Sequence, residues 1–300
     1  MNRDYHIPVL GPESVDFLHI RPSGIYVDAT FGGGGHSSLI LKRLGDSGHL
    51  FGIDRDQDAH KNSFEDNRFT LIAHNYRYMN RFLRYYGVQE VDGILADLGV
   101  SSYQFDTDVR GFSHRMQGPL DMRMNQRGGR TAADVLNELP VGELQQILSD
   151  YGEVRNAKTL AERIVEKRNQ FKIERVEDLT AILEQTYRGN QARYFAQVFQ
   201  ALRIYVNEEM DSLKEFLNQV VEVLKPGGRL VVISYHSLED RMVKNLIKTG
   251  NVQGELIKDD YGRIKNAFRA INSKVIVPSE EEIALNSRAR SAKMRVAEKY

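Results

Sequence analysis

Three aspartates and a run of glycines carry the residue types from which ligand chemistry is built in alternating strand–helix chains. The segment Asp28-Ala-Thr-Phe-Gly32-Gly33-Gly34-Gly35-His36 joins a short apolar run to a helical one. Glycines at such a junction let the backbone turn tightly and bring its N–H groups against a ligand. Asp54 ends the next apolar run, 22 residues beyond Gly32, where a carboxylate can accept the hydroxyl hydrogens of an adenosine ribose. Together they call for a nucleoside-containing ligand, against the plainer reading of a glycine-rich turn with a surface aspartate after it. The dinucleotide fingerprint is incomplete, because Ser37 stands three past Gly34. Four glycines behind Asp28 suit S-adenosylmethionine instead, whose methionine part has no pyrophosphate to cradle.

Ala96-Asp97-Leu98-Gly99-Val100-Ser101-Ser102 closes a fourth apolar run. In doubly wound sheets this edge faces the reacting atoms of a ligand held on the first two strands. Enzymes that methylate exocyclic amines of bases carry an Asp/Asn/Ser-Pro-Pro-aromatic motif here, whose side chain and a carbonyl accept the amine hydrogens. Asp97 and the Leu98 carbonyl offer two acceptors without the prolines. Cytosine N4 needs them, since its lone pair is delocalised into the ring, and two acceptors aim it along the methyl–sulfur axis. A strand-end cap or a cofactor contact is the competing role for Asp97. His236, in Ser234-Tyr235-His236-Ser237, is a second candidate, facing the substrate or orienting Asp97, against an ordinary structural role. The chain has no cysteine. That excludes cytosine C5 methylation, which adds a thiolate to C6, along with disulfides, Cys-ligated zinc and iron–sulfur clusters. Amine methylation requires no general base, because water can take the proton. No metal is expected.

The elements that must position these groups follow from periodicity. Strands are expected at Gly24–Thr30, His49–Asp54, Phe69–Ala73 and Gly93–Leu98, with helices at Ser37–Leu44, Asp56–Phe64 and Asn75–Tyr86 between them. From Asp106 to Leu202 only helical periods recur after an Arg- and Gly-rich loop, with a capping box at Thr131 and Asp134. The strand–helix pattern then resumes: a helix over Met210–Leu224, a sharp turn at Lys225–Gly228 and a strand at Arg229–Ser234. A helix at Ser237–Lys248 follows, then closing strands at Ala267–Val277 and Ala292–Ala297 around a helical turn at Glu280–Ala284. The expected fold is α/β, a Rossmann-like sheet domain formed by residues 1–105 and 203–300, with an all-helical insertion at 106–202 for substrate recognition.

With these motifs in order, the chain closely resembles the bacterial 16S rRNA (cytosine-N4)-methyltransferase family, RsmH or MraW. The resemblance runs nearly end to end. It includes Val27–Ser37, Gly52-Ile-Asp54-Arg-Asp56, Asp97–Ser102, Arg110-Gly-Phe-Ser113, Gly118–Met124, Phe199–Arg203, Ser234–Arg241 and Ser287–Ala292. It implies a class I S-adenosylmethionine-dependent enzyme that methylates N4 of a cytidine in the small-subunit decoding region, position 1402 in standard rRNA numbering. By motif position it implies cofactor contacts at Gly34, Gly35, His36, Asp54, Tyr76, Asp97 and Gln104. Tyr76 stands where the family often has Phe, and either ring can stack on the cofactor. Asn190-Gln-Ala-Arg193-Tyr-Phe-Ala-Gln departs from the usual His-Pro-Ala-Thr-Arg-Thr-Phe-Gln, and residues 251–269 match poorly.

Charge and length bound the partners. Lys+Arg and Asp+Glu are 41 each over 300 residues, so no basic coat covers the whole chain. Residues 110–130 nevertheless hold five arginines against one acid, and residues 241–300 hold 13 basic against 7 acidic residues. These two stretches are the candidate grips on RNA phosphates either side of a flipped base. The N-terminus lacks the apolar segment of a signal peptide, and no apolar run reaches membrane-spanning length. A cytoplasmic protein that meets 16S rRNA within the small subunit and no membrane is expected, with a homodimer as one option. DNA amino-methylation, a non-catalytic ribosome-assembly role and a nicotinamide oxidoreductase are the competing readings.

Overall fold

The structure, a computed structural model, describes residues 8–56, 59–99 and 110–300. The chain forms two compact units, one from residues 1–99 with 210–300 and one from residues 100–209. The second junction lies beyond the expected 202/203, because residues 203–209 are tied into the helical unit. Arg203 pairs with Glu209 at 2.9 Å, and Asn207 bonds the Met122 carbonyl and the Met124 N–H, each at 2.7 Å.

The first unit begins with a helix the sequence reading passed over, α1 (Gly11–Leu18), which has a proline in its first turn and buries Gly11, Ser14, Val15 and Leu18. It continues β1 (Ile25–Asp28), α2 (Gly35–Leu41), β2 (His49–Ile53), β3 (Phe69–Ile72), α3 (Met79–Tyr85) and β4 (Val91–Asp97). The expected helix at 56–64 is a 3₁₀ turn at Ala59–Asn62, and a second 3₁₀ turn at Tyr76–Tyr78 precedes α3.

The second unit packs α4 (Ala132–Glu138), α5 (Val141–Asp150), α6 (Ala157–Arg168), α7 (Val176–Glu184) and α8 (Gln191–Val206). Its core holds Leu136, Leu144, Leu160, Leu179, Val198 and Leu202, all fully buried. Thr131 and Asp134 close the capping box of α4. The Arg110 guanidinium is buried and donates to the carbonyls of Arg123 and Met124 at 2.6 and 2.8 Å.

The chain then returns to the sheet through α9 (Glu209–Val223), β5 (Leu224–Ser234), α10 (Ser237–Thr249), β6 (Phe268–Ala270), α11 (Glu280–Leu285) and β7 (Lys293–Lys299). The sheet runs β3-β2-β1-β4-β5-β7-β6. Strands β1 to β5 are parallel, while β7 runs antiparallel to both β5 and β6. The expected turn at Lys225–Gly228 is held inside β5: Leu224 pairs with Val91 and Arg229 with Gly93, so the four residues between them are looped out. The expected strand at 267–277 shrinks to three residues plus a single bridge from Ile276 to Met294.

Side-chain alternation along the strands splits the core between two faces. Val27, Ile94, Ala96 and Val232 pack with α3, α9 and α10, while Tyr26, Leu95, Val231 and Ile233 pack with α1 and α2. Among the described residues, no helix is long and apolar enough to cross a membrane.

Candidate active site

Strand order reverses at β1, which lies between β2 and β4, and in doubly wound sheets ligands bind outside the carboxyl ends of the strands at such a switch point. The chain leaving β1 bonds to both neighbours before it turns. Ala29 N–H donates to the Leu95 carbonyl at 2.8 Å and Phe31 N–H to the Ile53 carbonyl at 3.0 Å. At Gly34, φ is +78°, and a Cβ there would stand 3.0 Å from Phe64 and 3.2 Å from Phe31. Glycine is therefore needed on both conformational and steric grounds.

Two side chains in the first turn of α2 anchor this loop to strand-end carboxylates. Ser37 Oγ donates to Asp28 Oδ2 at 2.6 Å, and Thr30 N–H donates to Asp28 Oδ1 at 3.1 Å. Burial nevertheless pushes the Asp28 carboxyl up to about 6. Asp28 is thus an internal brace, out of reach of a ligand.

His36, the next side chain along, is buried, with Nε2 3.1 Å from the Val9 carbonyl and Nδ1 3.8 Å from Asp97 Oδ2. A carbonyl only accepts, so Nε2 carries the proton and Nδ1 turns its lone pair towards Asp97. Burial holds the imidazole pKa below its ordinary value and keeps the ring neutral.

Asp97, at the end of β4, is held by two hydrogen bonds. Its N–H donates to Thr30 Oγ1 at 2.6 Å and Tyr235 donates its hydroxyl to Oδ1 at 2.8 Å, while the neutral His36 ring packs 3.8 Å from Oδ2. Burial pushes its pKa up to about 6 against the lowering effect of the Tyr235 hydrogen bond. The side chain keeps 22% of its surface open, so the carboxylate is fixed yet reachable. Burial also raises the Tyr235 phenol well above its ordinary value, which leaves it a neutral donor. Gly99 allows this approach: at φ +106°, a Cβ there would meet the Tyr235 ring at 3.3 Å.

Asp54 follows β2. Its Oδ2 accepts from Gly32 N–H and its Oδ1 from Asp56 N–H, both at 2.8 Å, and burial still raises its pKa. Each oxygen keeps a further lone pair, and a desolvated carboxylate with spare acceptor sites fits the two hydroxyl donors of a ribose.

Tyr76 is half-buried, in the 3₁₀ turn after β3, with its ring edge-on to Phe216 at 5.2 Å. His236 is the N-cap of α10, accepting at Nδ1 from Glu239 N–H at 3.5 Å, with Nε2 3.1 Å from Glu239 Oε1. Glu239 in turn accepts from Tyr235 N–H at 2.9 Å. The contact to Asp97 thus comes from Tyr235, which sequence reasoning missed in favour of its neighbour. Gln104, Ser101 and Ser102 lie outside the described residues.

A glycine turn leaving the central strand, a ribose-type acceptor after β2 and a braced carboxylate ending β4 define the class of Rossmann-like S-adenosylmethionine-dependent methyltransferases. A model of the MraW methylase family matches residues 3–300. The "Ribosomal RNA small subunit methyltransferase H" of Bacteroides fragilis (strain YCH46) is 55% identical over 296 residues, covering 98% of this chain and 97% of that protein. The protein of the same name from Flavobacterium johnsoniae is 54% identical over 298 residues, with 99% and 98% covered. This chain belongs to the MraW methylase family and is an S-adenosylmethionine-dependent methyltransferase.

Proposed function

We propose that the protein methylates N4 of a cytidine in 16S rRNA of the small ribosomal subunit, position 1402 in standard numbering, by direct in-line transfer from S-adenosylmethionine. The observation that carries this reading is Asp97, fixed at the carboxyl edge of the switch-point strands by Thr30 and Tyr235 while part of its carboxylate stays open. The names of relatives more than half identical to this chain support the substrate class.

The bound cofactor supplies an electrophilic methyl group on a sulfonium. In this reading Asp54 accepts the ribose hydroxyls, the main chain of Gly34, Gly35 and His36 lines the methionine end, and Tyr76 offers its ring to the cofactor. The His36 imidazole is taken up by Val9 and Asp97, so its part in cofactor binding falls to its backbone. Asp97 and the Leu98 carbonyl accept the two amine hydrogens of N4 and point its lone pair at the methyl group. His236 caps α10 at the Glu239 N–H, and the Glu239 carboxylate accepts from the Tyr235 N–H, so His236 acts as a positioning residue. The helical unit is assigned the recognition of the RNA around the target, and the cytoplasm is the compartment such a substrate requires.

The test incubates the protein with labelled S-adenosylmethionine and small subunits from cells lacking it. Label in 16S rRNA is expected from the wild type and none from Asp97→Asn. Absence of transfer to any ribosomal particle or precursor contradicts the reading. For Asp54→Ala, calorimetry is expected to show cofactor affinity lowered roughly 10- to 100-fold, the scale of lost hydrogen bonds to a charged group. Unchanged affinity would remove Asp54 from the site.

A further inference from the structure

Several of the arginines that the sequence nominates for RNA are already engaged within the protein, while Arg115 and Arg127 stay exposed. Arg123 pairs with Asp121 at 2.8 Å, Arg130 with Glu138 at 3.4 Å and Arg295 with Asp240 at 2.6 Å, and Arg110 is buried on carbonyls. A different stretch keeps its charge. Residues 67–89 hold four arginines and no acidic residue. Arg68 is paired with Asp66 and Arg77 with Glu215, whereas Arg81 and Arg84 are exposed and have no ion pair among the described residues.

Helical geometry gathers these two with two aromatics. Met79 and Leu83 point α3 into the core, which turns Tyr78, Arg81, Arg84 and Tyr85, at i, i+3, i+6 and i+7, onto one outward stripe. Tyr85 is 80% exposed and Tyr78 39%. Tyr85 stands edge-on to Tyr86 at 5.2 Å and Tyr78 edge-on to His74 at 5.0 Å, so aromatic rings and guanidinium groups share one exposed face. The occupant must be anionic, to suit two uncompensated guanidinium groups, and must present flat apolar faces at separations of a few ångströms. Single-stranded nucleic acid has both properties, and aromatic–arginine stripes bind it by stacking on bases and pairing with phosphates. The stripe also begins in the segment that leaves β3 at the carboxyl edge of the sheet, the edge at which Asp54 and Asp97 stand.

We propose that the outward face of α3 and of the turn before it, formed by Tyr78, Arg81, Arg84 and Tyr85, is a docking surface for single-stranded RNA flanking the methylated nucleotide. The proposal rests on the RNA-methylation reading for its biological substrate, while the surface itself is tested without turnover. Affinity for a fluorescent single-stranded oligoribonucleotide and for purified small subunits is measured against salt, with calorimetry of S-adenosylmethionine as the control. Arg81→Gln/Arg84→Gln is expected to weaken RNA binding and to lower the slope of log affinity against log salt by about 1.4, the value for two lost phosphate contacts to a single strand. Tyr85→Ala is expected to weaken binding roughly 5-fold or more, the scale of one lost base stack, and Tyr85→Phe to restore it. Cofactor affinity stays unchanged in all three.

RNA affinity and salt slope that match the wild type in both the arginine and the alanine variants overturn the proposal. So does a loss of binding to anionic lipid vesicles with RNA affinity intact, which would assign the face to a membrane surface. A wild-type protein that binds RNA through this face but transfers no methyl group supports the surface and sinks the proposed reaction, so the two failures are distinguishable.

Discussion

Asp97 illustrates how a single carboxylate is made useful by its surroundings. Burial raises its pKa to about 6, and the amine-accepting role needs the ionised form. The transfer rate is therefore expected to fall about tenfold per pH unit below pH 6, read as the acid limb of single-turnover transfer. Tyr235 stabilises the ionised form by donating to it, so its removal raises the pKa further. Tyr235→Phe is expected to move the acid limb up by about one unit or more, from the strength of hydrogen bonds to charged groups. A limb that stays in place would show that the phenol does not set the charge of Asp97. Stability responds with its own sign. Asp28 and Asp97 hold their protons more tightly folded than unfolded, so their contribution to folding is present below the unfolded value near 3.9 and lost as pH rises through about 6. Thermal melting of ligand-free Asp97→Asn should then match or exceed wild type at pH 7, with the gap closing at pH 5. The glycine loop, Asp54 and Asp97 were legible in the sequence because each lies at a strand end in a local strand–turn–helix pattern. Tyr235 was not, because its partner is 138 residues away and only the pairing of β4 with β5 joins them.

At the scale of elements, the loop between β1 and α2 depends on a backbone shape that few residues adopt. Gly34→Ala forces a side chain into the left-handed region and against the Phe64 and Phe31 rings. The strain is about 1–2 kcal/mol. Cofactor affinity by calorimetry is expected to drop roughly tenfold as the loop shifts, with the melting temperature lowered by a few degrees; full affinity would show that the loop does not set the site. The strands and the larger helices were readable because burial on one or both sides imposes a period. The misreadings fall where other forces act. The glycines of Lys225–Gly228 suit a turn, yet pairing on either side of them holds the segment within β5 as an irregularity. The apolar residues at 271–277 resemble a strand, but only Ile276 gains a bridge. The short α1 opens on a glycine and a proline, which weaken a helical signal, although its buried face follows the helical period.

For the whole molecule, equal numbers of acids and bases describe an average over engaged and unengaged charge. Ion pairs such as Arg295–Asp240 and Arg269–Glu298 engage part of the local basic excess inside the fold. What a sequence count cannot show is which arginines remain available, since that depends on contacts made across the sheet. The absence of cysteine holds a firmer consequence, because no fold can supply a missing thiolate: a cytosine methylated here is methylated on nitrogen. The central claim is most directly tested by mass spectrometry of 16S rRNA from cells with and without the protein, mapped to single nucleotides. N4-methylation at position 1402 is expected to vanish with the protein and to return with the wild type but not with Asp97→Asn. Persistence of that mark in cells lacking the protein would contradict the account.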